Sequence, residues 1–361
     1  MRKAEFKETV QTFSLLLVPF GHPDNKLSGP PRRGVRGLTL PEVLVTLAIL
    51  LIVLVAVLEM AGQTARAWKV AANDPFGEAQ EAFESMARHL GAATLESYPD
   101  YADSSGAFRT NGATGFVPDH VARRSDLAFV CGVTSGTNGL LASTGRTTTG
   151  CGVFFLVPEG YTQTYPRTGL ERLLNAFGYF VEFGDDESAP SFVRPMTHCY
   201  RWRLKQVRQT SESLQVYAST SSAAWLENLV PRGGTTSVLA MNVATLLVVP
   251  ERSGMDKGTA LASDFSYDSR NGAVPLTRHQ LPPRVRLVLV AIDETSAQHL
   301  AALDGSTPPA LVPAGLFQDA TKVDADLATL DKTLTVQKIN HRTFQRDVSM
   351  AAASWAETAS Q

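Results

Sequence analysis

The sequence predicts an α+β fold in which a long apolar N-terminal helix carries a mainly antiparallel β-sheet head. Three observations lead there. The 21 residues from Leu38 to Leu58 are almost wholly apolar. Two later segments, after Pro75 and after Thr321, repeat apolar residues at helical spacing. From about residue 127 onward, short apolar runs are separated by clusters of Gly, Ser, Thr and Pro, the pattern of strands joined by turns. The 361 residues are 44% hydrophobic and 19% charged, enough apolar material for a packed core, which excludes bulk disorder. No repeat of about 20 to 50 residues is present, which argues against a solenoid or propeller.

Taken in order, the first 37 residues hold seven basic side chains against three acids, whereas the whole chain has a net charge of −2. A basic arm therefore precedes a mildly acidic body. The overall balance argues against nucleic acid as a partner, since such proteins present a clear basic excess. The run Leu38–Leu58 (LTLPEVLVTLAILLIVLVAVL) makes a helix roughly 30 Å long, the thickness of a bilayer's hydrocarbon core. Arg32, Arg33 and Arg36 lie directly before it, and only Glu59, Arg66 and Lys69 follow closely. The positive-inside rule then puts the N-terminus in the cytoplasm of a single-pass, inner-membrane protein and exports the body to the periplasm or beyond.

Glu42 is the one ionisable residue inside this span. A charge there costs on the order of 3 kcal/mol at the bilayer centre and less near its edge. Two readings are open: Glu42 snorkels to the headgroups near the positive helix end, or it has a partner inside the apolar phase. Pro41 fits a first helical turn, where its missing N–H is no loss.

Helical composition continues to Ala72, so Leu38–Ala72 predicts a helix about 50 Å long. Asn73-Asp74-Pro75 ends it and starts another, with Asp74 as candidate N-cap. From Pro75 to about Thr94, Ala79, Phe83, Met86 and Leu90 share a face that should pack on a sheet. Residues 98–125 and 134–150 read as loops. Strands are expected at Leu127–Val133, Val153–Val157, Gly178–Phe183, Tyr200–Val207, Val238–Val249 and Arg284–Ile292, and again around Arg342–Met350. The alternation in RWRLKQV and RVRLVLV suits antiparallel strands with one wet face. Helices are expected at Glu294–Leu303 and Thr321–Leu334, the second with Val323, Leu327, Leu330 and Leu334 on one side.

Arg36-Gly37 followed by Leu38-Thr39-Leu40-Pro41-Glu42 and an unbroken apolar helix resembles the leader of type IV pilins and pseudopilins. That resemblance implies cleavage by a prepilin peptidase between Gly37 and Leu38, N-methylation of Leu38, and a role in assembly for Glu42, the acid at position five. Leu38 stands where phenylalanine is commonest in the family, and the 37-residue leader is long. The segments LNAFGYFVEFGDD, HCYRWRLKQVRQ, YDSR and HQLPPRVRLVLVAIDE resemble the Verru_Chthon cassette protein C family and, more distantly, the J-type minor pseudopilin of type II secretion. The domain organisation this implies is a cytoplasmic prepilin leader over 1–37, a transmembrane and extended pilin helix over 38–72, a second helix over 73–97 and an exported pseudopilin-like head over 98–361.

Motifs for catalysis or metal binding are missing from the sequence. The seven histidines (His22, His89, His120, His198, His279, His299 and His341) are scattered, and there is no HExxH, Cys-x-x-Cys, Walker loop, GxGxxG or GxSxG pattern. No cofactor and no metal site is expected. Asp185, Asp186 and Glu187 read as a solvated turn, because a calcium loop needs alternating ligands and a terminal bidentate Glu. Asp293 and Glu294 read as a helix start rather than an acid/base pair. In His198-Cys199-Tyr200-Arg201-Trp202-Arg203, rings and cations interleave as the two faces of one strand. Of the three cysteines, Cys131 and Cys151 flank the loop 134–150 and are the preferred disulfide, worth about 3 kcal/mol. Free thiols and a pairing to Cys199 remain the alternatives.

The expected function is that of a non-enzymatic minor pilin or pseudopilin whose partners are a prepilin peptidase, other pilin-like subunits and inner-membrane lipid. It would assemble through its helix into a type II secretion-like or type IV pilus-like filament. The alternative is a single-pass anchored receptor or adhesin whose helix serves only as an anchor.

Overall fold

The computed structural model describes residues 74–110, 114–163, 171–185, 200–219, 221–231, 236–252, 260–271 and 274–355, together with Pro41, Leu44, Val45 and residues 47–54. The chain divides into two compact units, Met1–Arg66 and Ala67–Gln361. In the first unit the described residues are helical. The second unit is α+β, with antiparallel sheets.

The second unit opens with α1 (Gly77–Gly91), which buries Ala79, Ala82, Phe83, Met86, Ala87 and Leu90. The face read from the periodicity is therefore the packed one. Asp74 does not cap this helix as expected; its carboxylate accepts the N–H of Phe76 at 3.0 Å, a local turn ahead of the first helical residue. Residues 98–125 also depart from expectation. They hold β1 (Tyr98–Ala102) and β2 (His120–Arg124), paired antiparallel in a two-stranded sheet. Their mixture of charged and aromatic residues gives no clean alternation, because neither strand presents a fully dry face.

Among the described residues six strands form the larger sheet: β3 (Val130–Val133), β4 (Thr148–Pro158), β5 (Leu174–Asp185), β6 (Tyr200–Gln209), β7 (Ser237–Met241) and β9 (Tyr267–Asp268), in the order β7-β6-β5-β4-β3-β9. A three-stranded sheet, β11-β10-β8, is built from β8 (Val243–Glu251), β10 (Arg284–Ile292) and β11 (His341–Ser349). β8 brings this smaller sheet against β4, β5 and β6. The segment expected as one strand, Val238–Val249, is broken at Asn242, whose φ of 58° turns the chain from the larger sheet into the smaller. Asparagine tolerates that left-handed conformation better than a branched residue would.

The pairing between β4 and β5 shifts register between Thr149 and Val153. Gly150 lies in that irregularity with a φ of 65°, and a Cβ there would run into the Thr245 hydroxyl and the Leu246 carbonyl of β8. Glycine is thus required both by the backbone and by the approach of the second sheet. Across the larger sheet, Phe129, Phe155, Phe177 and Tyr179 stack with ring centroids 6.1–6.4 Å apart, a packing that contributes beyond its area.

The smaller helices close the core. α2 (Ser222–Leu229) is capped by Ser221, whose hydroxyl accepts the Ala224 N–H at 3.2 Å, and it buries Trp225, Leu226 and Leu229. No periodic signal marks it, since eight residues are too few for a 3.6-residue period to show. α3 (Glu294–Asp304) and α4 (Val323–Val336) fall where the sequence places them. Val323, Leu330 and Leu334 of α4 are buried, and Leu327 packs beside them.

One expectation fails outright: β6 has no wet face. Arg201, Arg203 and Lys205 alternate with Tyr200, Trp202 and Leu204 as read, yet Arg203 is 1% exposed and Lys205 0%. Arg201 donates to Glu294 at 2.9 Å and to the Ala297 carbonyl at 3.1 Å, so α3 covers it. Lys205 lies 3.9 Å from Glu182, which also accepts two bonds from Arg146 at 2.9 and 3.0 Å. Buried charges need such partners, and these come from 23 to 96 residues away in the chain. β10 is likewise covered on both faces.

Candidate processing and assembly site

Pro41, Leu44, Val45 and residues 47–54 are helical. Every large apolar side chain from Leu47 to Leu54 is more than half exposed, reaching 65% at Leu50 and 69% at Ile52. Consecutive helical residues point in all directions at 3.6 per turn, so this apolar surface has no polar side. A helix of that kind is covered by lipid or by other apolar helices when in water-based surroundings. Among the described residues no helix is long and apolar enough to cross a membrane. The Leu38–Leu58 span lies among them only in part, and Gly37, Leu38 and Glu42 lie outside them.

In the second unit, Cys131 and Cys151 are buried free thiols on neighbouring strands. The expected bridge is not formed, and register explains why. Cys131 stands opposite Val153, and Cys151 stands opposite Val133, so the two cysteines are diagonal neighbours. Such diagonals lie roughly 7–8 Å apart, beyond the usual Cα separation of a disulfide. Burial pushes both thiols up, that of Cys151 to about 12, so they are unreactive toward oxidants that need the thiolate. Cys199 lies outside the described residues, as do Asp186, Glu187 and His198; Asp185 ends β5.

Asp293 and Glu294 start α3 as read. The Asp293 carboxylate accepts the Ser296 N–H at 2.9 Å, and Asn340 donates to it at 3.1 Å. Glu294 is held by Arg201 at 2.9 Å and by Asn242 at 2.7 Å. Burial opposes ionisation of both carboxylates, and these hydrogen bonds outweigh it, leaving each below its ordinary range. Neither is poised to give or take a proton near neutrality. No group of His, Cys, Asp and Glu able to hold a metal ion occurs among the described residues.

Residues 32–58 match the prokaryotic N-terminal methylation motif. The methylation motif supports a type IV pilin-like prepilin leader, and Gly37, Leu38 and Glu42 all fall inside the matched residues. No curated protein and no solved structure matches the chain. The match is confined to this N-terminal segment, the stem of the chain.

His279, one of the scattered histidines, proves the most perturbed of those described. Its Nδ1 accepts the Ser125 N–H at 3.2 Å. Burial, and then the charges of Arg278, Arg124 and Arg270, push its pKa down to about 4. An unfolded chain would take up that proton near pH 6.5, before the folded one does. The stability contributed by neutral His279 is thus present above about pH 6.5 and lost as pH falls toward 4. The urea midpoint of the wild-type protein should fall across that window, and His279→Gln should flatten the fall. An unchanged pH profile in the variant would remove His279 from the account.

Proposed function

We propose that the chain is a non-enzymatic minor pilin-like or pseudopilin subunit. A prepilin peptidase cuts after Gly37, Leu38 is N-methylated, and the apolar helix assembles with other pilin-like subunits into a type II secretion-like or type IV pilus-like filament. The observation that carries this reading is the coincidence, in one segment, of the methylation motif at residues 32–58 with a helix that is apolar and exposed on all sides. Before assembly, inner-membrane lipid covers that helix; in the filament, neighbouring helices do. The basic arm stays cytoplasmic and the head is exported.

The resemblance of the head segments to the Verru_Chthon cassette protein C family and to the J-type pseudopilin supports a minor rather than a major subunit. A bulky head of about 290 residues fits a tip position better than a repeated shaft. Mass spectrometry of the N-terminal peptide, from protein taken out of its native membrane, tests the reading. The expected peptide begins with N-methylated Leu38. A chain that still begins at Met1, or one cut beyond Leu58, overturns it and leaves the anchored receptor or adhesin in its place.

A further inference from the structure

A concavity of about 330 Å³ opens on the head where three separate segments meet. The end of β2 supplies Arg124 and Asp126, a turn after β6 supplies Tyr217, and the turn after β9 supplies Arg270 and Arg278, with Phe108 from the β1–β2 connection. Arg124 and Arg278 both sit over the Phe108 ring, at 5.3 and 5.2 Å from its centroid. The ring holds two like charges side by side and offsets part of their repulsion.

Charge in this concavity is not balanced. Arg124 pairs with Asp100 at 2.7 Å and lies 3.9 Å from Asp126. Arg270 instead donates to three backbone carbonyls, those of Ser219 at 3.0 Å, Val216 at 2.7 Å and Asp126 at 2.5 Å. Arg278 donates to the Gly106 carbonyl at 3.2 Å. Among the described residues neither of these two guanidiniums has a carboxylate within ion-pair distance, although Asp268 and Asp126 act on Arg270 from farther away. His279 lines the same concavity, and because its Nδ1 is an acceptor, its hydrogen is on Nε2, a buried donor that meets no acceptor among the described residues. Burial first, and then the charges of Arg278, Arg124 and Arg270, hold down the proton affinity of His279. Unsatisfied donors and surplus guanidinium charge are costly in a folded protein, and an oxyanion relieves both.

We propose that this concavity is a binding site for a phosphate or sulfate group carried on a small polar body such as a sugar, with the oxyanion against Arg270 and Arg278 and the body against the exposed Tyr217 ring. Its volume suits a ligand of that size rather than a bare ion. The inference goes beyond the filament reading and stands whether or not the stem assembles.

Isothermal titration of the full-length chain in a non-ionic detergent tests it, with inorganic phosphate, glucose 6-phosphate, a sulfated disaccharide and unmodified glucose as probes. The phosphorylated or sulfated sugar is expected to bind at least tenfold more tightly than the inorganic ion, and glucose not at all. Arg278→Gln should weaken binding at least fivefold, and Asp126→Asn should strengthen it two- to fivefold by removing the competing carboxylate. Lys322→Gln, which removes a solvated cation outside the concavity, should change nothing. In parallel, the His279 ring protons followed by NMR should titrate at a higher pH once the ligand is bound. Equal affinity for inorganic phosphate and the sugar esters would overturn the carried group in favour of a free ion. Absence of binding by every probe, or losses equal in the Arg278 and Lys322 variants, would overturn the site itself. The charge-raising Asp126 variant guards against a trivial loss through misfolding.

Discussion

Subunits carrying Glu42→Ala are expected to enter the membrane and be cleaved at Leu38 like the wild type, yet to be reduced at least a hundredfold in the sheared filament fraction. The argument rests on charge in an apolar phase. On the proposed function, cleavage after Gly37 would free the amine of Leu38, which would stay cationic after methylation. In a bundle of apolar helices that cation would need a counter-charge, and Glu42 of a neighbouring subunit would be the acid to supply it, since Glu42 lies inside residues 32–58. Removing one member of a buried pair costs about 3–5 kcal/mol, because the other is left desolvated and alone. A loss of that size corresponds to a factor of more than a hundred in association. In the membrane, by contrast, alanine suits the span better than glutamate does. Quantitative immunoblotting of membrane and filament fractions, with N-terminal mass spectrometry on each, separates the two effects. Wild-type incorporation of the alanine subunit would mean that Glu42 only snorkels and that the helix is an anchor.

Gly150→Ala should destabilise the head by about 2–4 kcal/mol without affecting cleavage. About 1 kcal/mol comes from holding a residue with a Cβ at a φ of 65°. A further 1–3 kcal/mol or so comes from forcing β4 and β8 apart, since the obstacles are the Thr245 hydroxyl and the Leu246 carbonyl rather than the tip of a flexible side chain. For a head of this size that is roughly a 4–16 °C fall in melting temperature, readable by circular dichroism. A matched Gly136→Ala variant, also at positive φ but with open space around the added Cβ, should lose only the backbone contribution. Equal losses at the two positions would show that sheet contact adds nothing at Gly150.

Legibility in the sequence followed the range of the forces involved. α1, α3, α4 and β10 could be read because each concentrates its apolar residues on one face or in one run, and their ends carry local signals such as the Asp293 cap. β1 and β2 could not, because both are short, half-wet and rich in charges and tyrosines. The stem was legible for the opposite reason: its chemistry is linear, a small residue, a hydrophobic one and an acid at fixed spacing ahead of the span, and the methylation motif covers that segment. The burial of Arg203 and Lys205 was not legible, since alternating charged and apolar residues read the same whether or not a strand's charged face is covered. The same holds for the oxyanion concavity. Arg124, Arg270 and Arg278 are spread over some 150 residues and no spacing rule joins them.

The packing of α1 also bears on the order in which the chain matures. Phe83 lies 5.9 Å from Phe344 of β11, Glu84 pairs with Arg346, and the Ala351 N–H donates to the Gly91 carbonyl at 3.2 Å. α1 is therefore seated on a strand some 260 residues later in the chain. During folding, Phe83 has no finished surface to rest on until β11 is in place, because contacts this distant in sequence close late. A chain stopped short of β11 would display that helix face to proteases. Arrival of β11 thus acts as a checkpoint on the head, and only chains that reach it have the face of α1 sealed.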